Sequence, residues 1–107
     1  MEKNWKIDYS AKALFDIINL KTHLYELSRS EQTTKNKIAK IENAVKQLDH
    51  QPFRYPLTSI ETFRTKEIRF MPIDKYIVLY LPNKDSHTVS IVRIIYGKMD
   101  MAHLDLE

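Results

Sequence analysis

The sequence predicts an α+β fold: an N-terminal strand, a helical hairpin packed on one face of an antiparallel sheet, and a three-strand C-terminal meander that completes the sheet. Three observations carry this prediction. Apolar and polar residues alternate in "NWKIDYS", apolar residues then recur at steps of three and four as far as Leu48, and three runs of β-branched and aromatic residues follow Pro56.

The first strand is read from Trp5, Ile7 and Tyr9 alternating with Lys6 and Asp8, which gives one buried face near a sheet edge. From about Ser10 the period lengthens to Leu14, Ile17, Ile18, Lys21, Leu24, Tyr25 and Ser28, an amphipathic helix roughly 27 Å long at about 1.5 Å per residue. "SRSEQTT" then interrupts the apolar pattern. Ser28 and Glu31 have capping-box spacing, with Ser30 and Thr33 as the competing caps of a second helix. That helix carries Ile38, Ile41, Val45 and Leu48 on one stripe, and a short polar link makes the two helices an antiparallel hairpin. Pro52 and Pro56 end it, because each lacks an N–H and disfavours helix in the residue before it.

"KEIRFM" (66–71), "KYIVLYL" (75–81) and "HTVSIVRIIY" (87–96) are the predicted meander strands, with "PID" and "PNKDS" as hairpin loops. The later strands are apolar on both faces, since Ile77, Leu79 and Leu81 alternate with Tyr76, Val78 and Tyr80. The second face therefore needs a cover, either the C-terminal tail or a partner chain. The only glycine, Gly97, stands where the last strand must stop.

A chain of 107 residues forms one domain, spanning 1–107. With 43% hydrophobic and 29% charged residues it has ordinary globular composition. The start "MEKNWKIDYS" has no apolar h-region and no run long enough to span a bilayer, so a cytoplasmic location is expected. The absence of cysteine excludes disulfides, thiolate metal sites and cysteine nucleophiles, and four scattered histidines lack ligand spacing. No metal and no cofactor is expected. One glycine cannot build a phosphate-cradling loop, so nucleotide-cofactor chemistry is excluded as well. The carboxylates Glu61, Glu67, Asp74 and Asp85 fall in turns and at strand edges, where solvation accounts for them.

The basic residues of the sheet region are more informative than the net charge of +3. Arg64, Lys66 and Arg69 lie on one segment, Arg93 on a later strand, and Lys98 just after it. If those strands are neighbours, their side chains converge to bind a phosphate or carboxylate, with Tyr76, Tyr80 and Tyr96 as aromatic surface between them. The plainer alternative is that Arg64 and Lys66 are protective edge charges and that Arg93 pairs with a local carboxylate.

The order of elements, together with "YSAKALFDIINLKTHL", "KIENAVKQLDHQPFRYP", "IR" at 68–69, "YIVLY" at 76–80 and "VSIVRIIYGKMD" at 89–100, resembles the RelE/ParE superfamily, the toxins of type II toxin-antitoxin systems. The resemblance spans nearly the whole chain and implies the fold derived above, a cytoplasmic growth-inhibiting protein of the plasmid-stabilisation type, and a cognate antitoxin as partner. It also implies one of two targets. RelE-like members are mRNA interferases, metal-independent endoribonucleases that cut mRNA on the ribosome; ParE-like members poison DNA gyrase.

In ribonuclease members of the superfamily, basic side chains and a C-terminal Tyr or His activate the ribose 2′-OH and stabilise the phosphorane. Tyr76 matches their arginine at the start of "YIVLY", and Met99 matches the arginine after the glycine and lysine. Neither replacement brings a positive charge. If the chain is a ribonuclease, Lys66, Arg69, Lys98 and His103 are left as its catalytic residues. The tail "VRIIYGKMDMAHL" is similar to that of ParE-like members and points to inhibition of DNA gyrase. On that reading Arg64, Arg69, Tyr76, Arg93, Tyr96 and Met99 form the partner-binding set. A third alternative is an inactive member serving only the antitoxin complex.

Overall fold

The computed structural model describes residues 4–97. Strand β1 (Lys6–Tyr9) leads into helix α1 (Ala11–Ser28) and helix α2 (Glu31–Lys46). Two 3-10 turns at Gln47–Asp49 and Pro52–Arg54 and the single-turn helix α3 (Glu61–Arg64) follow. Strands β2 (Arg69–Ile73), β3 (Tyr76–Asn83) and β4 (Thr88–Tyr96) complete a four-stranded sheet ordered β1-β4-β3-β2. The meander is antiparallel throughout, while β1 lies parallel to β4 at one edge, so the sheet is mixed. Strand direction leaves no trace in the alternation of a four-residue strand, which fixes only its buried face.

Local chemistry sets the helix boundaries. Ser10 caps α1, its Oγ accepting from Ala13 N at 3.0 Å. Helix α1 ends at Arg29, a left-handed residue (φ 55°) whose N–H donates to Tyr25 O. Of the competing α2 caps, the structure selects Ser30, whose Oγ accepts from Thr33 N at 3.1 Å. Ser28 instead stabilises the connecting turn by accepting the Ser30 N–H.

Two corrections concern β2. Lys66 and Glu67 lie in the turn after α3, with Glu67 left-handed (φ 61°), so the strand begins at Arg69. It then runs on through Pro72 and Ile73, and the loop expected at "PID" shrinks to Asp74 and Lys75. Pro72 is tolerated because β2 is an edge strand, where a missing N–H breaks no ladder bond. Pro82 likewise lies inside β3, beyond Tyr80, where pairing with β2 has ended.

The helical hairpin covers one sheet face, packing Ala13, Ile17, Leu24, Ile38, Ile41, Val45 and Leu48 on Met71, Val78, Tyr80, Val89, Ile91 and Ile94. On the other face, Phe63 and Ile68 with Ile60 pack on Leu79, Ile95, Ile77 and Val92. The segment before β2 is therefore the cover over these strands, a solution the sequence reading did not consider. It is pinned by Thr58 N to Ile68 O and Phe70 N to Pro56 O.

Gly97 also finds its reason, which is close approach and not a positive φ. Its N–H donates to Lys75 O at 2.8 Å, and a Cβ at this position would lie 3.1 Å from that oxygen.

Candidate functional site

Strand β4 carries a bulge: Leu79 pairs with Arg93 and Tyr80 with Ile91, which leaves Val92 without a partner on β3. On the opposite side β1 stops at Tyr9, so the backbone of β4 loses its neighbour at the same level. The start of α1 replaces it. Ser10 Oγ donates to Val92 O at 2.8 Å, and Asp16 Oδ2 accepts the Ile94 N–H at 2.9 Å. Asp16 also binds Arg93 bidentately, with side chains only 12% and 15% exposed respectively. The charge of Arg93 is neutralised where it sits.

Next to this pair, Tyr76 and Tyr96 face each other across β3 and β4 with ring centroids 5.8 Å apart, tilted by 56°. They line a cleft of about 380 Å³ together with Asp16, His23 and Arg93. Burial, then Tyr96, then Asp74 push the Tyr76 phenol above its ordinary pKa, so it keeps its proton at neutral pH. A phenol shifted in that direction is poorly suited to act as a base.

The other sequence candidates lie at the far end of the sheet. Lys66 and Arg69 line a cleft of about 540 Å³ with Phe53, Glu67, Asn83, Lys84 and Asp85. Arg69 is partly structural there, since its Nη1 donates to Tyr55 O at 2.6 Å and to Phe53 O at 3.2 Å. Its Nε is buried without a hydrogen-bond partner among the described residues. The Phe53 ring lies beneath two cations, the Arg69 guanidinium at 5.0 Å and the Lys84 ammonium at 5.2 Å from its centroid.

The basic residues thus do not converge on one face. Arg93 pairs with Leu79 and Arg69 with the next residue, Tyr80, but from opposite sides of β3, two strand spacings or roughly 10 Å apart, and the two arginines line different clefts. Arg64 is exposed on α3 and lines neither cleft. Tyr80, expected as aromatic binding surface, is wholly buried, and its hydroxyl donates to Pro52 O at 2.6 Å. Lys98, Met99 and His103 lie outside the described residues. Sequence reasoning missed Phe53, Lys84 and Asp16. Lys84 stood in a stretch read only as a loop, and Asp16 is 77 positions from Arg93 with nothing in either neighbourhood to link them.

The family described as the ParE toxin of type II toxin-antitoxin systems, parDE, matches residues 7–101. This chain belongs to that family. Its fold is similar to the chromosomal ParDE toxin-antitoxin system of P. aeruginosa, at 13% identity and a TM-score of 0.71 over 88% of this chain and 97% of that one. It is also similar to the RelBE2 toxin-antitoxin complex of Mycobacterium tuberculosis, at 18% identity and a TM-score of 0.61 over 87% and 98%. No curated protein matches it in sequence. As a ParE-family chain it has the family's α+β fold, and no helix among its described residues is long and apolar enough to cross a membrane.

Proposed function

We propose that this ParE-family protein arrests growth by binding DNA gyrase and that a cognate antitoxin neutralises it. One observation carries the choice of target: the strand cation nearest the Tyr76 and Tyr96 surface is already neutralised. Arg93 is bound at two points by Asp16, and a protonated phenol, Tyr76, stands where the resemblance puts a ribonuclease arginine. Stabilising a phosphorane needs donors and positive charge aimed at the reacting oxygens, and a guanidinium held by a carboxylate supplies little of either. Two adjacent tyrosines suit a protein interface better, where such side chains anchor binding.

The antitoxin part draws on the two similar structures, both of toxin-antitoxin systems. The cleft with Lys66, Arg69 and Lys84 offers cations to an acidic antitoxin segment. Purified protein added to gyrase is expected to block supercoiling or to accumulate cleaved DNA, and Tyr96→Ala to weaken the effect about 10-fold or more. Gyrase that stays fully active at large toxin excess would defeat this reading.

A second reading, ribosome-dependent mRNA cleavage, has its own observation in that cleft, where two cations lie over an aromatic ring and Lys66 lines the same space. Primer extension on message from induced cells separates the two. Codon-spaced cuts that vanish in Lys66→Ala would favour cleavage, whereas intact message during growth arrest excludes it.

A further inference from the structure

Strand β4 outruns the strand beside it. Of its nine residues only Thr88–Ile91 pair with β1, so the stretch from Val92 to Tyr96 has no strand on that side. There Ser10 Oγ donates to Val92 O and Asp16 accepts the Ile94 N–H. The Gly97 N–H points the other way, at Lys75 O. Alternation therefore turns the N–H and C=O of Tyr96 and Ile94 away from β3, as the Ile94 bond to Asp16 shows. Among the described residues the Tyr96 N–H has no acceptor and Ile94 O has no donor. Both residues line the cleft of about 380 Å³ whose other wall is Asn19, Leu20 and His23 of α1. An open sheet edge of this kind is a template for one more strand.

The sequence after Gly97 has the pattern that edge requires. In "KMDMAHLDLE", residues 98–107, Ala102, Leu104 and Leu106 alternate with His103, Asp105 and Glu107, the period of a strand with one apolar face. We propose that residues 102–104 fold back antiparallel to β4 as a fifth strand beside Ile94–Tyr96, joined to it by the loop 97–101. Ala102 then exchanges two backbone hydrogen bonds with Tyr96, and the Leu104 N–H donates to Ile94 O, while the Ile94 N–H stays with Asp16. The small Ala102 stands opposite the bulky Tyr96. Leu104 stands opposite Ile94 and toward Leu20, and His103 and Asp105 turn to the other face. A one-residue slip would turn His103 and Asp105 into the cleft instead, so the apolar pattern fixes the register. A tether this short gives an effective concentration on the order of millimolar, so a contact too small to hold a separate chain suffices here. The cleft is thereby closed in the free protein, and a partner that lays an extended segment beside Tyr96 must first displace this strand.

Amide hydrogen exchange followed by NMR on the intact protein tests the proposal. The Tyr96 amide should exchange about 10-fold or more slowly than in Leu104→Asp, while the Val78 and Ile91 amides of the central strands keep the same rates in both proteins. Because the chain has no cysteine, register can be read independently by cross-linking. Leu20→Cys combined with Leu104→Cys should oxidise to an intramolecular disulfide, whereas Leu20→Cys combined with Asp105→Cys, on the opposite face, should not. Equal Tyr96 exchange in the two proteins, or cross-linking through Asp105→Cys in place of Leu104→Cys, overturns the proposal. So does Tyr96 protection that grows with protein concentration, which would assign the edge to a second copy of the chain.

Discussion

Asp16 holds Arg93 at two points, Oδ2 to Nε at 2.8 Å and Oδ1 to Nη2 at 2.9 Å, and the same Oδ2 accepts the backbone N–H of Ile94. One carboxylate thus neutralises a largely buried guanidinium, satisfies a β4 amide beyond the end of β1, and ties α1 to the bulged strand. Removing it by Asp16→Ala takes two charge-assisted bonds from Arg93 and leaves the Ile94 N–H without this acceptor, which is expected to cost about 2–4 kcal/mol. The exposed pair Lys40–Asp74, with side chains 61% and 55% accessible, is the control. Lys40→Ala should cost less than about 1 kcal/mol, because solvent screens the pair. Urea denaturation of both variants checks the contrast, and similar losses would refute it.

Stability should fall at high pH, chiefly through Tyr80. Its ring is wholly buried, and burial pushes the phenol from 10.0 up to about 12. The folded state therefore holds its proton after the unfolded state has released it. The associated stability is fully present below pH 10 and is lost as pH rises through about 12. Tyr9 and Tyr76 shift in the same direction and add to the slope. Tyr80→Phe should flatten this alkaline loss and, at neutral pH, cost about 1–3 kcal/mol because Pro52 O loses its donor. Urea midpoints from pH 7 to 12 provide the measurement; an unchanged slope in Tyr80→Phe would assign the loss elsewhere.

The two serine caps should respond oppositely to the same substitution. Ser30 Oγ accepts from Thr33 N, an acceptor role that a carboxylate fills equally well at a helix N-terminus. Ser10 Oγ accepts from Ala13 N and also donates to Val92 O, a second role that aspartate cannot perform. Ser30→Asp is expected to be neutral or to stabilise by a few tenths of a kcal/mol, and Ser10→Asp to destabilise by about 1–2 kcal/mol. Thermal unfolding distinguishes them, and equal shifts would show that the Val92 bond contributes nothing.

These residues also mark how far the sequence could be read. Alternation at Trp5, Ile7 and Tyr9 and the three-and-four spacing from Leu14 to Leu48 report burial on one face of an element, so β1, the hairpin and the meander were legible. What was not legible depends on neighbours distant in sequence. Pro72 looked like a loop residue because edge position, which makes it harmless, is a property of the assembled sheet. Tyr80 looked available for binding because alternation cannot say that Pro52 would accept its hydroxyl. The second sheet face looked uncovered because Ile60, Phe63 and Ile68 show no regular period within their short segment. At the candidate site the residue types were legible and their grouping was not, since Arg69 and Arg93 flank β3 from opposite sides and line different clefts, which only the strand order decides.

Charge reversal in the Lys66 and Lys84 cleft should weaken the antitoxin complex without weakening the fold. Both side chains are exposed, and Lys84 is held mainly by the Phe53 ring, an interaction worth about 0.5–1 kcal/mol at such a site. Lys66→Glu and Lys84→Glu should therefore leave the unfolding midpoint nearly unchanged. Against an acidic antitoxin segment they should lower affinity about 10-fold or more, largely through slower association that is itself sensitive to salt. Arg69→Ala should behave differently, because its Nη1 also ties the Phe53 and Tyr55 carbonyls to β2. It should lower stability by about 1–3 kcal/mol and affinity together. Association kinetics at two salt concentrations, paired with urea midpoints for the three variants, separate the roles. Unchanged affinity in both lysine variants would place the antitoxin on another surface, and an unchanged midpoint in Arg69→Ala would remove that arginine from the framework.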